Sequence, residues 1–149
     1  AFAVKNCNSK IPKNIKFLED DLSLLNKYKD NLDLIRSKID NQDINFYINF
    51  IVNSLFEANK YFNDQEPWKK KSDPLRLNTI VYTTLEVVRK ISFLLYPIIP
   101  NSSLKALKIF DISKNDIKLE TIINNEFLVK DSSINEIEIL FKKIDKKND

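Results

Sequence analysis

None of the chain's 149 residues is glycine, where an average chain carries about 7%. The absence excludes phosphate-binding loops built on glycine, which need that residue for close backbone approach. It also moves every left-handed turn position onto a residue with a side chain, and Asn and Asp tolerate that conformation best. Asn, Asp and Pro are therefore the expected punctuation, and helical periodicity fills the space between them.

Leu22, Leu25, Tyr28, Leu32, Ile35 and Ile39 recur at a spacing near 3.6, which predicts one helix from Glu19 to about Ile39. Asn41-Gln42-Asp43 is the expected break. From Asp43 to Asp64 the pattern is strongest. Ile44, Ile48, Ile51, Val52, Leu55, Phe56, Asn59 and Phe62 fall on one side, and Phe46, Tyr47 and Phe50 widen it. This helix is expected to be central, with contacts on more than one side. A third helix runs from Asp73 to Tyr96, striped by Leu77, Ile80, Val81, Leu85, Val88, Ile91 and Leu95.

The shorter pieces follow from punctuation. Ala1 to Cys7 reads as the tail of a helix, stopped by Asn8-Ser9, with an extended exit at Pro12. The opening Ala-Phe-Ala, without methionine, reads as a processed protein or a fragment. Pro97 ends the third long helix, and Asn101 or Ser102 is expected to cap a short one through Phe110. Beyond Asp111 the signal weakens. One more helical turn is expected within Ile112 to Glu120, an extended segment or packed loop over Ile122 to Val129, an amphipathic piece over Ser133 to Ile144, and a charged tail from Lys146. The whole predicts an all-α antiparallel helix bundle with a short irregular C-terminal extension. Residues 1–12 are the end of a truncated leading helix, 13–110 the bundle, and 111–149 the extension packing on it.

Between the second and third long helices lies Asn59-Lys60-Tyr61-Phe62-Asn63-Asp64-Gln65-Glu66-Pro67-Trp68, with the chain's single tryptophan. Lys69, Lys70 and Lys71 follow, and then Ser72-Asp73-Pro74, a helix start with Pro74 in the first helical position. An indole beside concentrated positive charge can stack on a nucleic-acid base while the lysines attract phosphates. The same spacing suits a core plug at a helix end with a solvated lysine face. Asn59, on the apolar side, reads as a buried amide bonded to backbone or as an RNA contact. Arg76 and Arg89 read as phosphate contacts or as partners of acids such as Asp73 and Glu86.

Composition removes several chemistries. There is no histidine, and Cys7 is the single cysteine, so neither an intrachain disulfide nor a cysteine metal cluster can form. Paired acids such as Asp20/Asp21 read as exposed helix residues with nothing to tune them for acid–base work. A net charge of +3 is too weak for a general nucleic-acid binder, so RNA contact has to rest on local clustering. Ile91 to Ile99 falls short of the ~18 apolar residues of a membrane span. No catalytic and no metal-ligating residue is assigned.

Asn59-Lys60-Tyr61, then Asp64-Gln65-Glu66-Pro67-Trp68, then Asp73-Pro74-Leu75-Arg76-Leu77 resembles the anticodon-binding domain of bacterial methionyl-tRNA synthetases. That family carries an Asn-x-Tyr, an acidic-Gln-x-Pro-Trp turn and an Asp-Pro-x-Arg helix start. The spacing matches apart from one residue missing between Trp68 and Asp73. Tyr96-Pro97-Ile98-Ile99-Pro100 resembles the family's exit from its last long helix, and Leu140 to Asp145 loosely resembles its closing run. The resemblance implies the helical anticodon-binding bundle of class I synthetases. It gives Trp68 the role of stacking on an anticodon base, with Pro67 fixing the backbone before it, Asn63 where the family has Asp, and Asn59 nearby. Lys69, Lys70 and Lys71 would add phosphate attraction. The family's anticodon-bonding Asn and Arg would lie ahead of Ala1.

The implied partners are a tRNA with a methionine anticodon loop and a catalytic domain of the same polypeptide. ATP and Mg would belong to the full-length enzyme, this chain being inactive alone without the class's His-x-Gly-His motif. Lys69-Lys70-Lys71-Ser72 superficially resembles the class's lysine-serine loop, but in the wrong place. A cytoplasmic monomer without membrane contact is expected. A helical protein-interaction or structural module without RNA binding is the competing reading.

Overall fold

The computed structural model describes residues 1–136. Six α-helices make the frame: α1 Phe2–Asn6, α2 Glu19–Asp30, α3 Leu32–Asp40, α4 Ile44–Gln65, α5 Pro74–Leu95 and α6 Pro100–Lys108. Short 3-10 turns lie at Pro67–Lys69, Lys114–Asp116 and Leu119–Ile123. The described residues contain no strand beyond an isolated antiparallel bridge between Lys10 and Ser133. The all-α bundle expected from periodicity is the fold found.

The caps explain several boundaries. Asp43 accepts a hydrogen bond from the Phe46 backbone N–H at 3.1 Å and opens α4. Asp73 does the same for Arg76 at 3.1 Å, with Pro74 in the first turn where its missing N–H costs nothing. α6 begins at Pro100 and has no side-chain cap, so neither Asn101 nor Ser102 is the cap. Proline's fixed φ starts this helix earlier than a polar cap would. The expected single helix over 19–39 is two helices. Asn31 separates them, with its side chain donating to the Lys27 carbonyl at 2.8 Å. Local bonding of this kind competes with helix continuation.

Left-handed backbone falls on Asn8, Ser9, Gln42, Glu66, Asp111 and Asp131. Three of the six are the Asn or Asp expected. Ser9, Gln42 and Glu66 are not, and such positions persist only where surrounding contacts hold them.

The central helix is α5, not α4. Fourteen of the 22 residues of α5 are buried, and it packs on α2, α4, α6 and the 119–123 turn. Its buried set includes Thr79, Thr83, Glu86, Arg89 and Lys90, which an apolar stripe does not reveal. The expected core face of α4 is corrected too. Tyr47, Phe50, Ile51, Ser54 and Tyr61 are buried, whereas Ile44, Ile48, Val52, Leu55 and Phe56 are exposed, Phe56 by 68%. Tyrosines can turn inward because their hydroxyls find partners there: Tyr47 donates to the Leu94 carbonyl.

Residues 112–136 pack as chain without α-helix or strand. Ile122 and Leu128 are buried. Ile11 and Ser132 are joined by a backbone bond of 2.9 Å, and Ile134 donates to the Ser9 carbonyl at 2.7 Å. The 122–129 segment is therefore a packed loop. The amphipathic piece expected over 133–144 lies mostly outside the described residues, as do the 140–145 run and the charged tail.

Candidate nucleic-acid interface

The corner between α4 and α5 is built by a sharp stop and a sharp start. Glu66 ends α4 in the left-handed region, at φ 46 and ψ 56. Pro67 then opens a single 3-10 turn, closed by backbone bonds from Lys69 to the Glu66 carbonyl at 2.9 Å and from Lys70 to the Pro67 carbonyl at 3.1 Å. Asp73 donates back to the Lys70 carbonyl at 3.0 Å before capping α5. Local backbone bonds thus close the corner from Glu66 to Asp73, although no glycine eases the turn.

Pro67 is buried, and it plugs the corner in the place the sequence left open for the tryptophan. Trp68 is 44% exposed. One part of its ring rests on Phe62, with centroids 6.1 Å apart and planes at 58°. Phe62 in turn meets the edge of Phe2 at 5.5 Å. The indole is therefore supported from below and open to solvent, as a stacking platform requires.

Asn59 and Asn63 are exposed one turn apart on α4. The buried, backbone-bonded Asn59 anticipated as one possibility is overturned, because the helix turns Tyr61 inward and leaves Asn59 outside. Both amides line a largely apolar groove of about 520 Å³. Its walls include Ala1, Phe2 of α1, Leu55 and Phe62 of α4, Val88 of α5 and Ile109. Through Phe62 the groove reaches Trp68. The structure therefore gathers Asn59, Asn63 and Trp68 at one end of the molecule.

The lysines are a looser set. Lys69 Nζ turns back to Glu66 at 2.7 Å, with both side chains largely in solvent. Lys70 is half-buried and Lys71 exposed. Neither arginine of α5 is offered to a phosphate. Arg76 forks onto Asp21 at 2.7 and 3.0 Å. Arg89 is completely buried and pairs with Glu86 at 2.7 Å.

Asp21 was missed. Read from the sequence as a surface acid at a helix start, it is completely buried and accepts from Arg76, from Tyr61 and from the Leu18 backbone N–H at 2.8 Å. Burial pushes its carboxyl up, but the Arg76 guanidinium, the Leu18 N–H and the Tyr61 hydroxyl together bring it below the ordinary value. Its position three residues after Leu18 was a visible capping signal; its partners 40 and 55 residues away were not.

Comparison with known proteins meets this geometry. The family model described as the anticodon binding domain of methionyl tRNA ligase matches residues 11–149. The chain is 37% identical over 109 residues to methionine–tRNA ligase of Brucella suis, covering 72% of this chain and 21% of that protein. It is 32% identical over 152 residues to the Rickettsia felis methionine–tRNA ligase, covering 97% of this chain and 29% of that one. In structure it resembles Mycobacterium tuberculosis methionyl-tRNA synthetase in complex with methionyl-adenylate, with a TM-score of 0.86 and 26% identity over 95% of this chain and 28% of that chain. The fold and corner define an all-α module of the kind appended to class I synthetases. The chain belongs to the family of methionyl-tRNA ligase anticodon-binding domains, and it spans less than a third of the relatives it matches.

Proposed function

We propose that this chain reads the anticodon loop of a methionine tRNA for a longer enzyme that attaches methionine to that tRNA. The observation that carries the reading is the half-open indole of Trp68, propped on Phe62 beside two exposed amides. Unstacked bases in single-stranded loops are where proteins read RNA sequence. The ring takes one base by stacking, while Asn59 and Asn63 offer donors and acceptors to base edges alongside. Pro67 holds the backbone before the ring, so little freedom is lost on binding. Lys70 and Lys71 attract the loop's phosphates; Lys69, tied to Glu66, contributes less.

The remainder of the longer polypeptide, with its catalytic domain, is the second partner in this reading. Support comes from the exposed apolar residues of α4 and the groove beside them. Covering by its own polypeptide rather than by a second copy makes the protein a monomer. Residues 13–110 form the bundle, 1–12 lead into it, and 111–149 extend from it. Adenylate chemistry belongs to the catalytic domain, where ATP and Mg would be held. The residues here do not fit that group: the chain has neither Gly nor His, and among the described residues no three candidate metal ligands converge. The compartment is the cytoplasm, with which a single free cysteine is compatible. No helix of the described residues is long and apolar enough to cross a membrane.

The test is titration of Trp68 fluorescence with an anticodon stem-loop at low salt. Saturable quenching by the methionine anticodon and not by a loop of different sequence is expected. Equal response to both loops, or none to either, rejects the reading.

A further inference from the structure

Behind the corner, three helix ends are tied to one carboxylate. Asp21 lies in the first turn of α2, Tyr61 and Gln65 in the last turns of α4, and Arg76 in the first turn of α5. Arg76 gives Nη1 and Nη2 to the two oxygens of Asp21 at 2.7 and 3.0 Å. Nη2 also donates to Gln65 Oε1 at 2.6 Å, and Gln65 Nε2 reaches Asp20 at 3.3 Å. The Tyr61 hydroxyl and the Leu18 N–H complete the carboxylate. Gln65 and Arg76 bracket the corner, so the bond between them closes the mouth of the loop that carries Trp68.

We propose that the Asp21–Tyr61–Gln65–Arg76 cluster is the positioning device of the Trp68 corner, fixing the end of α4 against the start of α5 so that the indole is held at one height and tilt. The link to RNA rests on the reading above; the positioning does not. A planar fork pre-organised on a carboxylate fixes distance and angle together, which a lysine cannot do. Arg76 has no free face for a phosphate, since its side chain is only 13% exposed and its charge is met by a buried acid. The left-handed Glu66 adjoins Gln65 directly. A strained residue there persists only if its neighbours hold it, and this cluster is what holds Gln65. Tyr61 and Arg76 meet at Asp21, and Gln65 joins them through Arg76.

Trp68 is the chain's single tryptophan, so its emission reports the corner alone. The 149-residue chain is compared with Arg76→Lys, and with Gln65→Leu in case the first variant does not fold. Circular dichroism establishes that the helices are intact, and acrylamide quenching and fluorescence anisotropy of Trp68 are read at that temperature. The expected result is a more quenchable, more mobile ring in folded protein, with stem-loop affinity about tenfold weaker for Arg76→Lys. An unchanged ring in a folded variant overturns the proposal, and a loosened ring with unchanged affinity overturns its link to RNA. If the wild-type chain ignores the stem-loop while Arg76→Lys still frees the ring, the positioning device stands and the RNA reading falls.

Discussion

Two arginines of α5, thirteen residues apart, do opposite kinds of work. Arg76 sits at the edge of the core, forks onto one acid and braces an exposed corner. Arg89 sits in the middle of the helix with no exposure. It pairs with Glu86, donates to the Thr121 and Asn124 carbonyls at 3.1 and 2.6 Å, and lies over Phe127 at 4.6 Å. Its neighbour Lys90 donates to Asn125 at 2.6 Å and to the Leu25 carbonyl at 3.3 Å. Glu86 also accepts from the Leu128 backbone N–H at 2.7 Å. The first cluster pins an exposed turn; the second pins irregular chain whose own backbone bonds are few. Each substitutes for regular structure where the chain has none. The difference lies in solvent: the corner cluster is one ion pair at the rim, and the mid-helix cluster is two basic side chains and one acid in a dry site.

That difference predicts unequal sensitivity. Glu86→Gln leaves the buried Arg89 without its counter-charge and is expected to lose about 3–5 kcal/mol of stability. Asp21→Asn keeps the side-chain shape but replaces one accepting oxygen with an NH2 group, beside a partly solvated arginine, and is expected to lose less, about 1–3 kcal/mol. Urea unfolding at pH 7 measures both. Equal losses would erase the distinction drawn between rim and interior.

The two clusters also respond to pH in opposite windows. Burial first, and then the Arg89 charge, push Lys90 down to about 7 from 10.5, against the pull of Glu86. A folded-state value below the unfolded one means that the unfolded chain binds more protons between those values. Stability therefore rises with pH from about 7 to 9, by at most about 1.4 kcal/mol per unit. Above that range the buried tyrosines, Tyr28 and Tyr47 both pushed up to about 12, begin to oppose it. Asp21 has the same sign in an acid window. Its folded-state value lies below 3.8, so its contribution is present above that pH and is lost as the solution becomes more acid. Lys90→Met is expected to flatten the alkaline slope and leave the acid limb intact; a slope that survives it assigns the effect elsewhere.

Trp68→Ala tests the exposed side of the corner. Binding of the methionine stem-loop should weaken by about 1–3 kcal/mol. Stability should move by less than about 0.5 kcal/mol if the ring is the surface feature its exposure indicates. A large loss of stability would instead make the ring part of the core.

What could be read in advance follows from the range of each interaction. The Asp73-Pro74 start, the Asn8-Ser9 stop and the corner itself are local, and they stand in the sequence. The inward face of α4 was not legible, because Tyr47, Ser54 and Tyr61 enter the core through hydroxyl partners on other segments or, for Ser54, on the preceding turn. The burial of Glu86, Arg89 and Lys90 depends on carbonyls and amides of residues 121–128, which no stripe on α5 announces. At the candidate site, the exposed Trp68 and the lysines beside it stand in one local run, while Asp21 stayed hidden because its partners are distant in sequence.

The smallest expected effect separates the lysines from one another. Exposed ion pairs such as Lys69–Glu66 contribute about 0–1 kcal/mol, yet that pairing already meets part of the Lys69 charge before RNA arrives. Lys71 is exposed and makes no ion pair among the described residues. Each lysine that meets a phosphate releases counterions on binding, and its removal lowers the salt dependence of affinity by about one unit of logarithmic slope. Lys71→Ala should therefore flatten the slope for both the methionine and the control loop, with affinity down about threefold at moderate salt. Lys69→Ala should do less, since it also frees Glu66. If Lys69→Ala flattens the slope as much as Lys71→Ala, the Glu66 contact breaks on binding, and the lysines act as one charged patch.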